Sequence, residues 1–193
     1  AALDSLKTYS GDIMITDAHT LDELKVINKG TSGEITLSDG TVDLNGTAED
    51  ILAALDGVSG YSGNITIADA ATAADIEAIA QLTTGTLTST LKAEEITLDL
   101  SSATSRNVIT VTDDANVTGS DQADKLIVQD GANSDVDLVV DLGEGADEVR
   151  VENGAILAAK GDSIVISDTG DESDTDTLTV SGTNNFDVNS SWT

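Results

Sequence analysis

The chain of 193 residues contains no cysteine and no proline, and aromatic residues make up 2% of it. Without cysteine there is neither a disulfide framework nor a thiolate site for metal or redox chemistry. With one Trp, one Phe and two Tyr, large rings cannot fill a wide core. The 39% hydrophobic share is therefore carried by Ala, Val, Ile and Leu, enough to argue against disorder and suited to a thin core of aliphatic ladders. No apolar run reaches the length that spans a bilayer. No secretory leader heads the chain, which starts at Ala1 rather than Met. The expectation is a processed chain or a cut segment.

Positive charge is the other scarcity. Eight Lys and Arg stand against 36 Asp and Glu, a formal net charge of -28. Such a chain repels phosphate backbones and anionic lipid, so nucleic acid and membrane insertion are not expected of it. It attracts cations, and self-repulsion on this scale destabilises a compact state unless counter-ions offset it.

What the chain does have is repetition. Ala1–Thr36 and Ala53–Thr88 align without gaps at 16 identical positions, among them Tyr9/Tyr61, Gly11/Gly63, Asp17/Asp69, Thr20/Thr72 and Gly33/Gly85. The period is 52 residues, and "AALD" at Ala1 matches the same residues at Ala53. The chain thus begins inside a repeat, which reads as a segment of a longer array. Within each period, Thr20, Thr47 and Thr72 open apolar runs and are followed three residues on by Glu23, Asp50 and Asp75, the capping-box spacing. Leu24/Ile27, Ile51/Leu55 and Ile76/Ile79 supply one apolar stripe each, so three short helices are expected. Between them Ile13/Ile15, Ile35/Leu37 and Ile65/Ile67 alternate with polar residues at strand period. Gly11, Gly33, Gly63 and Gly85 precede these strands, where the chain turns a corner. Strand and helix alternating every 25 residues or so is the size of one solenoid coil.

After about Ser105 the helical pattern stops. Short strand-like runs follow, with inward ladders Ile109/Val111, Leu126/Val128, Val136/Leu138/Val140, Val149/Val151, Ile164/Ile166 and Leu178/Val180, bracketed by acids and glycines. The chain divides into a helix-bearing part, 1–105, and an all-β acidic part, 106–193. Two turns carry a sharper pattern, and a third keeps part of it. "LGEGADEVR" carries Gly143, Gly145, Asp147 and Val149; "GSDQADKLI" carries Gly119, Asp121, Asp124 and Leu126; "TGDESDTDTLTV" keeps Asp176 and Leu178 but has Asp174 among the acids at glycine positions.

These turns resemble the nonapeptide G-G-x-G-x-D-x-U-x (U apolar) of bacterial repeats-in-toxin proteins, and the helix-bearing repeats look like those of S-layer proteins and giant adhesins. The departures are specific: Leu142 replaces the leading Gly of the first turn, and Ser120 and Gln122 replace two glycines of the second. Asp124 and Asp147 stand 23 apart rather than nine or eighteen. The resemblance implies an elongated, mainly β, parallel β-solenoid, extracellular on a bacterial surface. It also implies Ca²⁺ held by carboxylates and turn carbonyls around Asp147, Gly143, Gly145, Asp124, Gly119, Asp121, Asp176 and Asp174. The role that follows is structural: a subunit of an S-layer or filament, or else a spacer in a giant adhesin or toxin-like protein. Partners follow the same line, with association through the solenoid ends and contact with cell-surface polysaccharide.

An enzyme is not expected. His19 is the sole His and its repeat counterpart is Ala71. No base stands by to activate a hydroxyl, and acid pairs such as Glu94/Glu95 and Asp171/Asp174 are what 36 acids produce by chance. Tyr9 and Tyr61 read as caps of coil corners, and Trp192 as end packing or an anchor for a partner.

Overall fold

A computed structural model describes residues 9–93, 97–129, 137–152, 155, 163–169 and 174–182. The fold is mainly β, with 40% strand and 17% helix, and the strand pairing is parallel. Three helices are present where the capped runs place them. They are α1 (Leu21–Gly30), α2 (Ala48–Leu55) and α3 (Ala73–Ala80). Thr20 closes a full capping box, its hydroxyl accepting from Glu23 N–H while Glu23 bonds back to Thr20 N–H. Thr47 and Thr72 accept from Asp50 and Asp75 N–H in the same manner. Each bond supplies a partner to an amide that the helix itself cannot pair, typically about 1 kcal/mol. The expected stripes are buried: Leu24, Ile51, Leu55, Ile76 and Ile79 are at most 1% exposed, and Ile27 is half-buried.

The strands fall into three parallel sheets. β1 (Ile13–Ile15), β2 (Ile35–Leu37) and β4 (Val58–Ser59) form the first. The second, of seven strands, runs β14-β12-β10-β8-β6-β5-β3. It comprises β3 (Leu44–Gly46), β5 (Ile65–Ala71), β6 (Thr86–Leu91), β8 (Arg106–Val111), β10 (Lys125–Val128), β12 (Glu148–Val151) and β14 (Thr177–Val180). The third is β13-β11-β9-β7, from β7 (Thr97–Asp99), β9 (Ala115–Thr118), β11 (Asp137–Asp141) and β13 (Ser163–Ser167). From β6 onward the chain alternates between the second and third sheets, so consecutive strands are never neighbours. The second sheet runs without a break past residue 105, through the pairing of β6 with β8.

Parallel in-register pairing stacks like on like. Ile109, Leu126, Val149 and Leu178 form one ladder; Leu98, Val117, Val140 and Ile166 form another on the third sheet. Their burial against each other makes one continuous core from Leu24 to Ala155, and each buried aliphatic chain contributes roughly 1.5–3 kcal/mol. Val136, in the expected ladder, lies outside the described residues. Among the described residues no helix is long and apolar enough to cross a membrane.

The repeated "T-[ST]-G" element has a specific job. Thr31 and Thr83 donate their hydroxyls to Gly11 and Gly63 carbonyls at 3.0 and 2.8 Å, and accept from Gly33 and Gly85 N–H. The glycines two residues on lie directly over the preceding turn: a Cβ at Gly33 would strike the Gly11 carbonyl, and one at Gly85 would sit 2.5 Å from that of Gly63. Glycine is needed here for close backbone approach and not for an unusual φ, which refines their reading as corner residues. Tyr61 reaches back to donate its hydroxyl to Val42 O at 2.6 Å, and burial pushes that hydroxyl's pKa up.

Thr83 is 1% exposed, so replacing it with Val keeps the shape and strands the buried Gly63 carbonyl and the half-buried Gly85 N–H. Thr83→Val should lower the unfolding free energy by about 1–3 kcal/mol, read from the denaturant midpoint. The same change at an exposed strand position such as Thr66 should shift it by less than about 0.5 kcal/mol.

Candidate metal centre

The acidic turns stack on one another as the strands do. Between β11 and β12, Gly143 and Gly145 adopt left-handed backbone, φ 83° and 113°. This lets the turn lie flat on the one before it: a Cβ at Gly143 would be 2.6 Å from Ser120 O, and one at Gly145 2.7 Å from Gln122 O. Gly119 is packed against the Leu142 carbonyl. Leu142, at the position that the nonapeptide gives to a leading glycine, buries its side chain in the core.

Two residues ahead of the Ile109–Leu126–Val149–Leu178 ladder stands a polar ladder: Asn107, Asp124, Asp147 and Asp176. Each carboxylate accepts the backbone N–H of the rung before it. Asn107 donates to Asp124 Oδ1 at 2.8 Å, Asp124 to Asp147 Oδ1 at 2.6 Å, and Asp147 to Asp176 Oδ1 at 3.0 Å. Alongside, Gly145 N–H donates to Asp174 Oδ2 at 2.7 Å. The strand register brings these residues together although 17, 23 and 29 residues separate the rungs.

The rungs differ in what they have left to offer. Asp124 is saturated. Its Oδ1 takes both Asn107 N–H and Asn107 Nδ2, and its Oδ2 takes Ser120 N–H and Ser120 Oγ. Four donors use the four lone-pair directions of a carboxylate, so Asp124 has none for a cation. Asp147 is 2% exposed and its Oδ2 has no partner. Asp174 and Asp176 are half-buried, and a carboxylate oxygen from each lies within 4.8 Å of one from Asp168. Asp121 is exposed in the turn before Asp124 and takes no part.

Asp168 is the residue sequence reasoning missed. It follows β13 in the third sheet, whereas Asp174 and Asp176 precede β14 in the second, so the three meet only where the two sheets meet. In sequence it is one acid among many in "SDTGDESDTD".

The electrostatics are those of crowded, half-desolvated carboxylates. Burial, with the charges of Asp124, Asp176 and Asp174 added, pushes Asp147 up to about 7. Burial also raises Asp124, against the opposing pull of its hydrogen bonds, and raises Asp176, where a side-chain hydrogen bond with Asp168 and the like charges of Asp168 and Asp174 add to it. Three convergent hard oxygens beside an orphaned buried fourth carboxylate suit a hard divalent cation, whose charge offsets both costs.

Other residues singled out in the sequence lie apart. His19 is buried at the opposite end, beside α1, and both its ring nitrogens lack partners. Glu94, Glu95, Asp171 and Trp192 are outside the described residues.

A carboxyl whose folded pKa is raised binds its proton more tightly folded than unfolded. Its contribution is therefore complete below the unfolded value near 4 and is lost as pH climbs through about 7. With chelator present, the melting temperature should fall steadily between about pH 4.5 and 7.5. Asp147→Asn, which cannot ionise, should flatten most of that slope; an unchanged slope in the variant would place its origin elsewhere.

No family model, curated protein or solved structure matches the chain.

Proposed function

We propose that the protein is an elongated parallel β-solenoid serving as a structural, self-assembling subunit of a bacterial extracellular layer or filament, stabilised by Ca²⁺. The observation that carries the reading is the stack of acidic turns, in which every rung bonds to the next and the last gathers Asp168, Asp174 and Asp176 about one point. Such a stack has a mechanical use, to hold successive turns in register. Asp168, Asp174 and Asp176 would hold the ion, with Asp147 next to them in the interior.

The mechanism follows from charge. With 36 acids and a net charge of -28, the acidic turns repel one another where divalent cations are scarce. Where Ca²⁺ is plentiful it binds the folded turns and not the open chain, and folding is drawn forward by mass action. That gradient exists between a bacterial interior and its surroundings, which supports an extracellular site of action. The same open-ended sheets that pair turn on turn leave strand edges at the ends, and paired edges are the means of assembly.

Circular dichroism at pH 7.5 tests the metal. Ca²⁺ at about a hundred times its dissociation constant should stabilise the fold by roughly 2.7 kcal/mol. Asp168→Asn or Asp174→Asn should remove most of this gain, while Asp121→Asn should not. If strand signal and melting temperature are the same in Ca²⁺ and in chelator, the metal leaves the account. Sedimentation at rising concentration should show oligomers; a stable monomer with and without Ca²⁺ would end the assembly reading.

A further inference from the structure

Four stretches of the chain read N-x-[ST], the acceptor signal for a saccharide linked through asparagine nitrogen: "NGT" at Asn45, "NIT" at Asn64, "NVT" at Asn116 and "NSS" at Asn189. Asn189 lies outside the described residues, and the fold sorts the other three. Asn64 is engaged: its Oδ1 accepts Thr86 N–H at 3.0 Å and ties one turn to the next. Asn28 and Asn107, which carry no such signal, are engaged as well, donating from Nδ2 to Asp56 O and to Asp124 Oδ1. Asn45 and Asn116 are exposed, and among the described residues their side-chain amides bond to nothing.

Strand alternation aims both outward. In β3, Leu44 is buried and Asn45 is not; in β9, buried Ala115 and Val117 flank Asn116. Register then surrounds each with uncharged side chains. Asn45 is level with Thr66 and, beyond it, Thr88. Asn116 is level with Thr97 on one side and with Val139 and Val165 on the other. Those two valines are 48% and 56% exposed. In a chain with 36 acids, these are rows where a bulky neutral group lies without covering a carboxylate, and beside Asn116 it shields apolar surface that otherwise faces water. Asn45 and Asn116 also have an acid two residues earlier, Asp43 and Asp114, as Asn189 has Asp187, whereas Asn64 has Ser62 there. One enzyme reading D-x-N-x-[ST] selects the free asparagines and passes over the engaged one. Once the turns stack, Asp43 and Asp114 have a second duty, accepting Asn64 and Asp137 N–H.

We infer that Asn45 and Asn116 are sites of N-linked glycosylation, each taking a neutral oligosaccharide from a polyprenyl diphosphate carrier. In the transfer, Asn Nδ2 forms a bond to the anomeric carbon of the sugar, and the bond from that carbon to the diphosphate oxygen breaks. The diphosphate leaves with the electron pair, and a proton of Nδ2 goes to a base of the transferase. The product is a bulky, solubilising group on the outer face of each sheet, clear of the core. The inference rests on the proposed extracellular site of action, because this signal is used on exported chains. The open, calcium-poor chain of that reading presents to the enzyme two segments that are strands once the turns have stacked.

Peptide mass mapping of the protein taken from the cells that make it reads each site. The peptides holding Asn45 and Asn116 should each carry a saccharide mass, and the peptide holding Asn64 none. Asn45→Gln and Asn116→Gln, made singly in those cells, should each remove the mass at that site alone. Neither side chain has a bond to lose, so both variants should show the strand signal of the parent. Bare Asn45 and Asn116 overturn the proposal. So does a mass on either peptide that persists in its Gln variant, since the saccharide is then on a hydroxyl, and so does equal modification of Asn64, since the fold then sorts nothing. Fractionating the same cells separates the two failures: a bare chain at the cell surface ends this inference alone, whereas a chain retained in the cytoplasm ends the extracellular reading as well.

Discussion

When parallel strands stack, the turns that join them stack as well, and a turn cannot pair its own amides as a strand can. Each buried N–H at a turn must find an acceptor, from a side chain of its own turn or on the neighbouring one, or stay unbonded, which is costly once water is excluded. In this protein short polar side chains meet that need throughout. Asp12, Asp43, Asn64 and Asp114 accept N–H groups from Glu34, Asn64, Thr86 and Asp137. Asp124, Asp147, Asp176 and Asp174 accept those of Asn107, Asp124, Asp147 and Gly145. Part of the acidic excess is thus structural, since Asp is the side chain that reaches one strand spacing with an oxygen at its tip.

The same bond has different consequences on the two sides of the molecule. In the helix-bearing region the acceptors are exposed, the acid stays solvated, and the hydrogen bond is a modest gain. Ahead of β10, β12 and β14 the acceptors face inward. Asp124 and Asp147 are 8% and 2% exposed, so the ladder that aligns the turns also desolvates its carboxylates. Four donors offset part of that cost for Asp124; Asp147 has one oxygen without a partner, and its own N–H donates to Asp176. Alignment of the turns and the crowding of buried carboxylates are therefore two properties of one arrangement.

The helices and the Thr–Gly contacts show how local and non-local signals differ in legibility. Thr20, Thr47 and Thr72 cap the expected helices because capping is settled within four residues. Gly33 and Gly85 were legible as special positions through the repeat, yet their reason, a carbonyl of the previous turn where a Cβ would be, is 22 residues away in sequence. The site divides in the same way. Asp147, Asp174 and Asp176 follow from the turn pattern, since register carries equal motif positions into contact. Asp168 does not, because it comes from a different sheet. Asp124 occupies the motif position but is consumed by Asn107 and Ser120, and nothing in its own nine residues shows that Asn107 is its neighbour.

The sequence by itself determined the period, the three capped helices, the aliphatic ladders and the mainly β character, because these depend on spacing along the chain. Tertiary structure alone decided which strands share a sheet: the runs at 106–111, 125–128, 148–151 and 177–180 pair with one another, while those at 137–141 and 163–167 belong to the sheet opposite. Their sequences are alike, alternating and β-branched, so composition cannot separate them. The sheet that each run enters decides which carboxylates meet and which are saturated by neighbouring amides.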